Sequence, residues 1–359
     1  MSSPRSVRAL RTFVSTLETA LPGKLRGMFR FGVRAFVLAP IVSCNSNART
    51  AHHGSRAAAE QAMFRLLGHP RIARLLWQRI ARLSPLTDAD VVDVDYSNLG
   101  PLAILGFARQ TGRGRAVPVL MRALASNTQG LQKKRPKYQV LRDAYNAWKA
   151  TVQADQYSYV VKSLRLLRYL YKVQPRLAFD RGFMSPVVAQ FLCDNHWLFY
   201  LRAREDRYVS YRGERRRIGS FRKGSYHVDW AGRRLRLVVG STKVKHPMPW
   251  YILTNDERTA NKQVIRYYYH RFEIEESFRD VKSLFRLKYT QLKTYRSLGV
   301  ILCFLSIALI CALAATSKDN TVRQPKTPHS KKQLSLVRIW QESVRTALQA
   351  AAVKRWGLG

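Results

Sequence analysis

Apolar residues recur along the chain with two periods, and each change of period marks an element. Residues 57–83, AAAEQAMFRLLGHPRIARLLWQRIARL, carry the helical period with a break at Gly68-His69-Pro70. After Pro85 the period shortens. Residues 90–95, DVVDVD, alternate polar and apolar and predict a strand. Residues 102–109 and 115–122 predict two more, separated by the turn-forming Gly112-Arg113-Gly114, so the three form a meander. A helical pattern covers 139–172. A short strand over 176–180 (RLAFD), a helix over 186–195 and a strand over 197–204 follow. Residues 205–246 alternate, with Arg215-Arg216-Arg217 and several glycines, and predict a basic β-rich insertion. Residues 250–254, WYILT, read as a buried strand, and 256–285 as one long helix.

Residues 298–315, LGVILCFLSIALICALAA, hold no charge. Their length touches the lower bound for a membrane span. A buried helix is the preferred reading, because the run is short and contains Gly299 and Ser306. Residues 317–333 are polar and rich in Lys, Thr and Pro, as a linker is. Residues 334–355 predict a terminal amphipathic helix.

Charge changes the picture. The 359 residues carry 63 Lys and Arg against 22 Asp and Glu, a formal net charge of +41. Such a surplus repels itself unless it meets a polyanion, which disfavours an enzyme of small neutral metabolites. Nucleic acid is the first partner it points to, an anionic membrane surface the second. On charge alone, a ribosomal-type binding protein fits as well. The 46% of hydrophobic residues suffices for a core and excludes general disorder. Basic residues interleave the helices of the first 86 positions, which suits helices laid on phosphates as well as an ordinary amphipathic cap. The four cysteines form no Cys-x-x-Cys pair and the histidines no zinc spacing, so a reducing compartment is expected. Residues 1–21 are basic without a continuous apolar core and do not read as a secretory signal.

In so basic a chain the carboxylates are the informative residues. Asp88, Asp90, Asp93 and Asp95 crowd residues 88–95, Asp180 closes the strand of LAFDRGF, and Glu273, Glu275 and Glu276 lie in the long helix. Strand-borne Asp, strand-end Asp and helix-borne Glu are what a two-metal phosphoryl-transfer site requires, because hard cations take oxygen ligands. A solvated salt bridge is the ordinary reading of any one of them. At about 100° per residue, with Tyr268 at zero, Arg271 falls at about 300°, Glu275 at about 340° and Lys282 at about 320°. The four share one face, Arg279 joins its edge, and Glu273 and Glu276 point elsewhere. Ion pairs such as Glu275–Arg279 would explain part of that face. They do not explain the tyrosine.

Residues 268–282, YYHRFEIEESFRDVK, match Tyr-x2-Arg-x3-Glu-x6-Lys. The pattern resembles the signature of bacterial insertion-sequence DDE transposases, the group named for insertion sequence four. DVDYS, 93–97, is similar to that family's first Asp box, with Tyr96 where tryptophan is common. LAFDRGF is similar to the second. The resemblance covers roughly residues 57–316. It implies an α/β fold, a ribonuclease-H-like mixed sheet flanked by helices, with the β-rich insertion and an N-terminal helical region. With the residue pattern of the two ends, the expected organisation is an N-terminal helical, DNA-binding region (1–86), a catalytic core in two parts (87–204 and 247–316) around the insertion (205–246), and a linker with a C-terminal helix (317–359). It also implies that the apolar helix packs in or against the core.

The resemblance further implies that Asp95, Asp180 and Glu275 are catalytic and bind two Mg2+ ions, with Mn2+ a substitute. Asp93 shares the Asp95 face of its strand and is the alternative or assisting ligand; Asp95 is preferred. Tyr268, Arg271 and Lys282 would hold DNA phosphates. Trp250 would receive an unstacked base or serve as a core tryptophan. The implied activity is cut-and-paste transposition: metal-activated hydrolysis at each transposon end, a hairpin intermediate, then attack of the freed 3′-hydroxyl on target DNA. Its partners would be double-stranded inverted-repeat ends and target DNA, bound by a homodimer in a synaptic complex, without a membrane, in the bacterial cytoplasm at the nucleoid. A ribonuclease-H-like nuclease or resolvase without strand transfer, and a non-catalytic basic nucleic-acid-binding protein, are the competing readings. A membrane-anchored protein using 298–315 is a third.

Overall fold

A computed structural model describes residues 4–38, 56–99, 102–125, 156–241, 249–285, 287, 294–317, 341 and 344. The chain divides into two compact units. One comprises Pro85–Ala116 and Leu124–Glu275. The other comprises Met1–Ser84, Val117–Ala123 and Glu276–Gly359.

The Pro85–Glu275 unit is a mixed α/β body built on one sheet. Its strands are β1 (Val91–Leu99), β2 (Leu102–Arg109), β4 (Arg176–Phe179), β5 (Phe199–Arg202), β6 (Tyr208–Tyr211), β7 (Glu214–Arg217), β8 (Gly224–Trp230), β9 (Arg233–Gly240) and β10 (Trp250–Thr254); β3 (Val117–Ala125) falls mostly in the other unit. Their order is β2-β1-β4-β5-β10-β9-β8-β6-β7. β1 is antiparallel to β2 and parallel to β4, and β4 is parallel to β5. The remaining pairings are antiparallel. Val91, Val92 and Val94 make β1 a buried central strand, which puts its two aspartates inside the sheet's span.

Of the basic segment 205–246, residues 208–240 fold as β6 to β9 and continue the same sheet, since β9 pairs with β10 from Trp250↔Gly240 to Thr254↔Arg236. Its two hairpins turn on Arg212-Gly213 and Ala231-Gly232, all four with positive φ. Two-residue loops of that kind match the twist of the strands they join.

Helices here are α1 (Pro4–Thr19), α2 (Gly23–Gly32), α3 (Arg56–Gly68), α4 (Ile72–Leu83), α5 (residues 156–171), α6 (Pro186–Asp194), α7 (Asn261–His270), α8 (Phe272–Ser283) and α9 (Tyr295–Ser317). The break at 68–70 and most strand bounds follow the hydrophobic pattern. One expectation fails: 256–285 is not a single helix. The chain tightens at Arg271, where Arg271 N–H donates to Tyr268 O and Ile274 N–H to Arg271 O, so α7 and α8 are separate. These three-residue bonds replace the four-residue ladder. The helix expected over 139–172 is seen from 156 to 171, and its earlier part lies outside the described residues. So does the expected linker 317–333 beyond its first residue, as does the terminal helix except for helical residues 341 and 344.

α7 is anchored on the sheet by a cluster of Tyr200, Val238, Trp250, Ile252, Val264, Ile265 and Tyr268. Gly240 permits this approach, because a Cβ there would sit 3.0 Å from the Ile265 side chain. The loop entering α7 is held by Asp256, which accepts from Tyr200 Oη (2.7 Å), Thr259 Oγ1 (2.6 Å) and the Arg258 and Thr259 N–H groups.

In the other unit α9 is surrounded by α1, α3, α4 and the π-helical turn Val33–Leu38. Residues Tyr295–Ala314 are long and apolar enough to cross a membrane (mean hydropathy 2.7), yet 83% of that stretch is buried within the chain. Phe304 packs at a tilt against Phe29 and Phe36 and lies over Gly32, where any side chain would collide with its ring. Cys193, Cys303 and Cys311 are free thiols, and burial pushes the latter two well above the usual thiol range.

Candidate active site

The sheet's register brings the first two carboxylates together. β1 and β4 run parallel with Val94 opposite Phe179, so Asp95 and Asp180 are the next residues of adjacent strands. Two rings reinforce the juxtaposition: Tyr96 stacks on Phe183 at 5.0 Å with 5° between planes, and Phe183 packs on Phe179. Thus the aromatic of DVDYS and the final Phe of LAFDRGF lock the two segments to each other.

The third carboxylate arrives through Arg271. Its guanidinium is 3% exposed and donates from Nη1 to Asp95 Oδ2 (3.2 Å) and from Nη2 to Glu275 Oε1 (2.5 Å). Tyr268, fully buried in α7, donates its hydroxyl to Asp180 Oδ1 at 3.2 Å. One arginine and one tyrosine, a turn apart, thus bind all three carboxylates: Arg271 bonds Asp95 and Glu275, and Tyr268 bonds Asp180. Asp95 and Asp180 are partly buried, while the Glu275 side chain is half exposed.

Burial pushes the Asp95 carboxyl up to about 6, against the pull of Arg271 and of the Tyr96 N–H, with Asp180 and Glu275 adding their repulsion. Burial opposes the charge of Arg271, but Tyr268, Asp95, Asp180 and the bond to Glu275 hold it more firmly protonated than a free guanidinium. Burial raises the Tyr268 phenol to about 12. Asp93 is wholly enclosed. Burial drives its carboxyl well above the usual range despite a 2.5 Å hydrogen bond from Gln110 Nε2, which also donates to Tyr267 O. Of the two strand aspartates, only Asp95 is accessible.

Oxygen-only donors that repel one another suit a hard divalent cation in kind. The Arg271 charge stands between two of them, and among the described residues no three His, Cys, Asp or Glu side chains are grouped closely enough to ring an ion as they stand.

The other expected site residues are placed as follows. Lys282 lies in the last turn of α8, seven residues past Glu275. Trp250 is 3% exposed on β10, edge-on to Tyr268 at 5.1 Å and near-parallel to Tyr269 at 6.4 Å, so it is a core aromatic here. Arg279 pairs with Glu276 at 2.6 Å rather than with Glu275. Glu273, which the helical wheel pointed away from the site face, is 4% exposed and clamps the turn after β2. It accepts from the Thr111, Gly112 and Gly114 N–H groups (2.8, 3.3 and 3.2 Å) and lies 3.2 Å from His270 Nδ1. The signal for it was the Gly112-Arg113-Gly114 turn, whose two glycine amides take a carboxylate as acceptor. Arg202 at the end of β5 was also missed. Its guanidinium lies 5.9 Å from the Tyr268 ring and 6.0 Å from the Trp250 ring.

Residues 108–311 match the family described as Transposase DDE domain. That span takes in Asp180, Tyr268, Arg271, Glu275 and Lys282; Asp95 precedes it. No curated protein matches the chain. A solved synaptic complex of piggyBac transposase with hairpin DNA aligns with 99% of this chain and 81% of its own, at 14% identity and a TM-score of 0.45.

Proposed function

The chain belongs to the transposase DDE domain family, and from that membership and the site's geometry we propose that it cuts the ends of an insertion sequence and joins them to target DNA. The observation that carries the reading is the Arg271 fork, which joins Asp95 on β1 to Glu275 on α8 beside the Tyr268-held Asp180. Three acids converge there within a chain of net charge +41, whose surplus binds the DNA backbone.

Asp95, Asp180 and Glu275 would hold two divalent ions, Mg2+ by preference with Mn2+ a substitute, on the ribonuclease-H-like sheet. Bound there, the ions supply positive charge for the phosphodiester oxygens on which negative charge builds. Tyr268 and Arg271 orient the carboxylates. Arg271 lies beneath the reacting phosphate as a buried, permanently charged group, and Lys282 takes a flanking phosphate. A 3′-hydroxyl left by the first, hydrolytic cut attacks a phosphodiester of the opposite strand, displacing the 3′-oxygen of the flanking DNA and giving a hairpin on the transposon end. Water opens the hairpin, and the regenerated 3′-hydroxyl attacks a target phosphodiester, displacing a target 3′-oxygen. A homodimer pairing two ends in the bacterial cytoplasm, at the nucleoid, completes the reading.

The test is cleavage of DNA carrying the element's own inverted repeats with Mg2+ present. The parent should nick, form hairpins and yield joined products, while Glu275→Gln and Asp180→Asn should do none of these. If either variant cut as well as the parent, the assignment would fail. Nicking without any joined product would favour a nuclease.

A further inference from the structure

Beside Asp180 lies an open cleft of about 740 Å³ whose walls come from three segments of the chain. One wall is the end of β4 with Asp180 and Arg181. Another is the end of β5 with Arg202 and Arg204. The third is Arg217, the last residue of β7, within the insertion.

The sheet explains the first two. β4 and β5 are parallel with Phe179 opposite Leu201, so Asp180 and Arg202 are the next residues of adjoining strands. Tyr268 underlies both, bonding Asp180 with its hydroxyl and facing the Arg202 guanidinium with its ring. Arg217 is brought in by backbone bonds. Ile218 N–H donates to Arg207 O and Gly219 N–H to Glu205 O, and Arg217 Nε donates to Glu205 O at 3.2 Å. The segment leaving β5 thus carries the insertion's arginine back to the site.

Three carboxylates temper the cleft: Asp180, Glu205 and Asp206. Asp206 is engaged by Arg204 through two bonds of 3.1 and 2.8 Å, which neutralises that arginine. Arg181, Arg202 and Arg217 are left facing the opening, and Asp180 is the carboxylate assigned to metal. A row of guanidinium groups leading to a reacting centre matches successive phosphates of one strand, which guanidinium donors grip bidentately.

We propose that this cleft seats the backbone phosphates of the DNA strand next to the scissile phosphate, with Arg202 and Arg217 as positioning residues. The insertion is then part of the site. The inference rests on the transposase reading for its substrate. The shared chemistry is the phosphodiester, from a transposon end or from target DNA.

The test uses the full chain in chelator, where nothing is cut. DNA affinity is measured by fluorescence anisotropy over a series of salt concentrations, for a duplex with the element's terminal repeat and for an unrelated duplex. Each lost phosphate contact lowers the slope of log affinity against log salt by about 0.9. Arg202→Gln and Arg217→Gln should each show that loss, Arg217→Lys should restore the slope, and Arg233→Gln, whose guanidinium binds Asp194 outside the cleft, should not change it. A loss confined to the terminal-repeat duplex assigns the cleft to the transposon end; a loss with both duplexes admits target DNA. Unchanged slopes for both cleft variants, an equal loss in Arg233→Gln, or no recovery in Arg217→Lys overturns the proposal. Failure of the transposase reading would appear instead in the cleavage assay, as cutting that ignores Glu275.

Discussion

The Arg271 guanidinium donates to Asp95 across 3.2 Å, joining the residue between α7 and α8 to a central strand 176 positions earlier. The most enclosed cation among the described residues is thereby spent on the candidate catalytic carboxylates. Charge and geometry are supplied by the same group. Its rings add to the hold: the guanidinium lies 4.8 Å from Phe272 and 5.6 Å from Tyr268.

Arg271→Gln is expected to abolish cleavage and to lower stability by about 3 kcal/mol, because removing one partner leaves buried charge uncompensated. Arg271→Lys should retain part of the stability, since it keeps the charge but loses the fork that serves two carboxylates. Chemical denaturation at neutral pH gives the first quantity and single-turnover cutting the second. A folded, fully active Arg271→Gln chain would remove Arg271 from the site.

The raised Asp95 carboxyl gives stability a pH dependence of known sign. Its value of about 6 in the folded chain exceeds the ordinary value of about 3.9. The charged form is therefore disfavoured by folding. The associated stability is fully present below about pH 4 and is lost as pH rises through 6. Without divalent ions, Asp95→Asn should gain on the parent by roughly 2–3 kcal/mol between pH 4 and pH 7, then hold level. Parallel pH profiles for the two proteins would contradict this. Metal binding should weaken below about pH 6, where protons compete for the same oxygens.

Glu273→Ala should cost about 1–2 kcal/mol, since it removes the buried carboxylate that accepts the amides of the exposed turn. The expected local signature is faster hydrogen exchange at Thr111, Gly112 and Gly114, the amides that donate to it. Glu273→Gln, which keeps one acceptor oxygen, should exchange at intermediate rates. If those amides stay protected in the alanine variant, the clamp is not what orders the turn.

Asp256 titrates the opposite way. Burial pushes its carboxyl up, but bonds from Thr259, Tyr200 and Arg258 outweigh it and hold the group below the usual carboxylate range. Its stability is present above about pH 4 and lost as pH falls through the folded value. Asp256→Asn should destabilise by about 1–3 kcal/mol at neutral pH, by an amount that shrinks in acid. A penalty independent of pH would point to shape rather than charge. The variant should also loosen the start of α7.

Much of the molecule is legible from residue order because its causes are local. The strands of DVVDVD, WYILT and RLAFD follow from alternation and apolar runs, and the helices around 68–70 from their period and a Gly-His-Pro break. The spacing of Tyr268, Arg271, Glu275 and Lys282 is likewise a chain property, and with the two Asp boxes it points to a DDE transposase, the broader family that residues 108–311 match. What the tertiary structure decided depends on register and on burial. Only the pairing of β1 with β4 and β4 with β5 shows that Asp95, Asp180 and Arg202 are neighbours. Only packing shows that Asp93 is sealed from solvent, that Trp250 belongs to the core, and that the helix wheel breaks at Arg271. Periodicity assigns a side chain to a face of its own element. Which element lies against that face is settled by contacts far apart in sequence, and the +41 of the whole chain becomes a site only where those contacts gather its few acids.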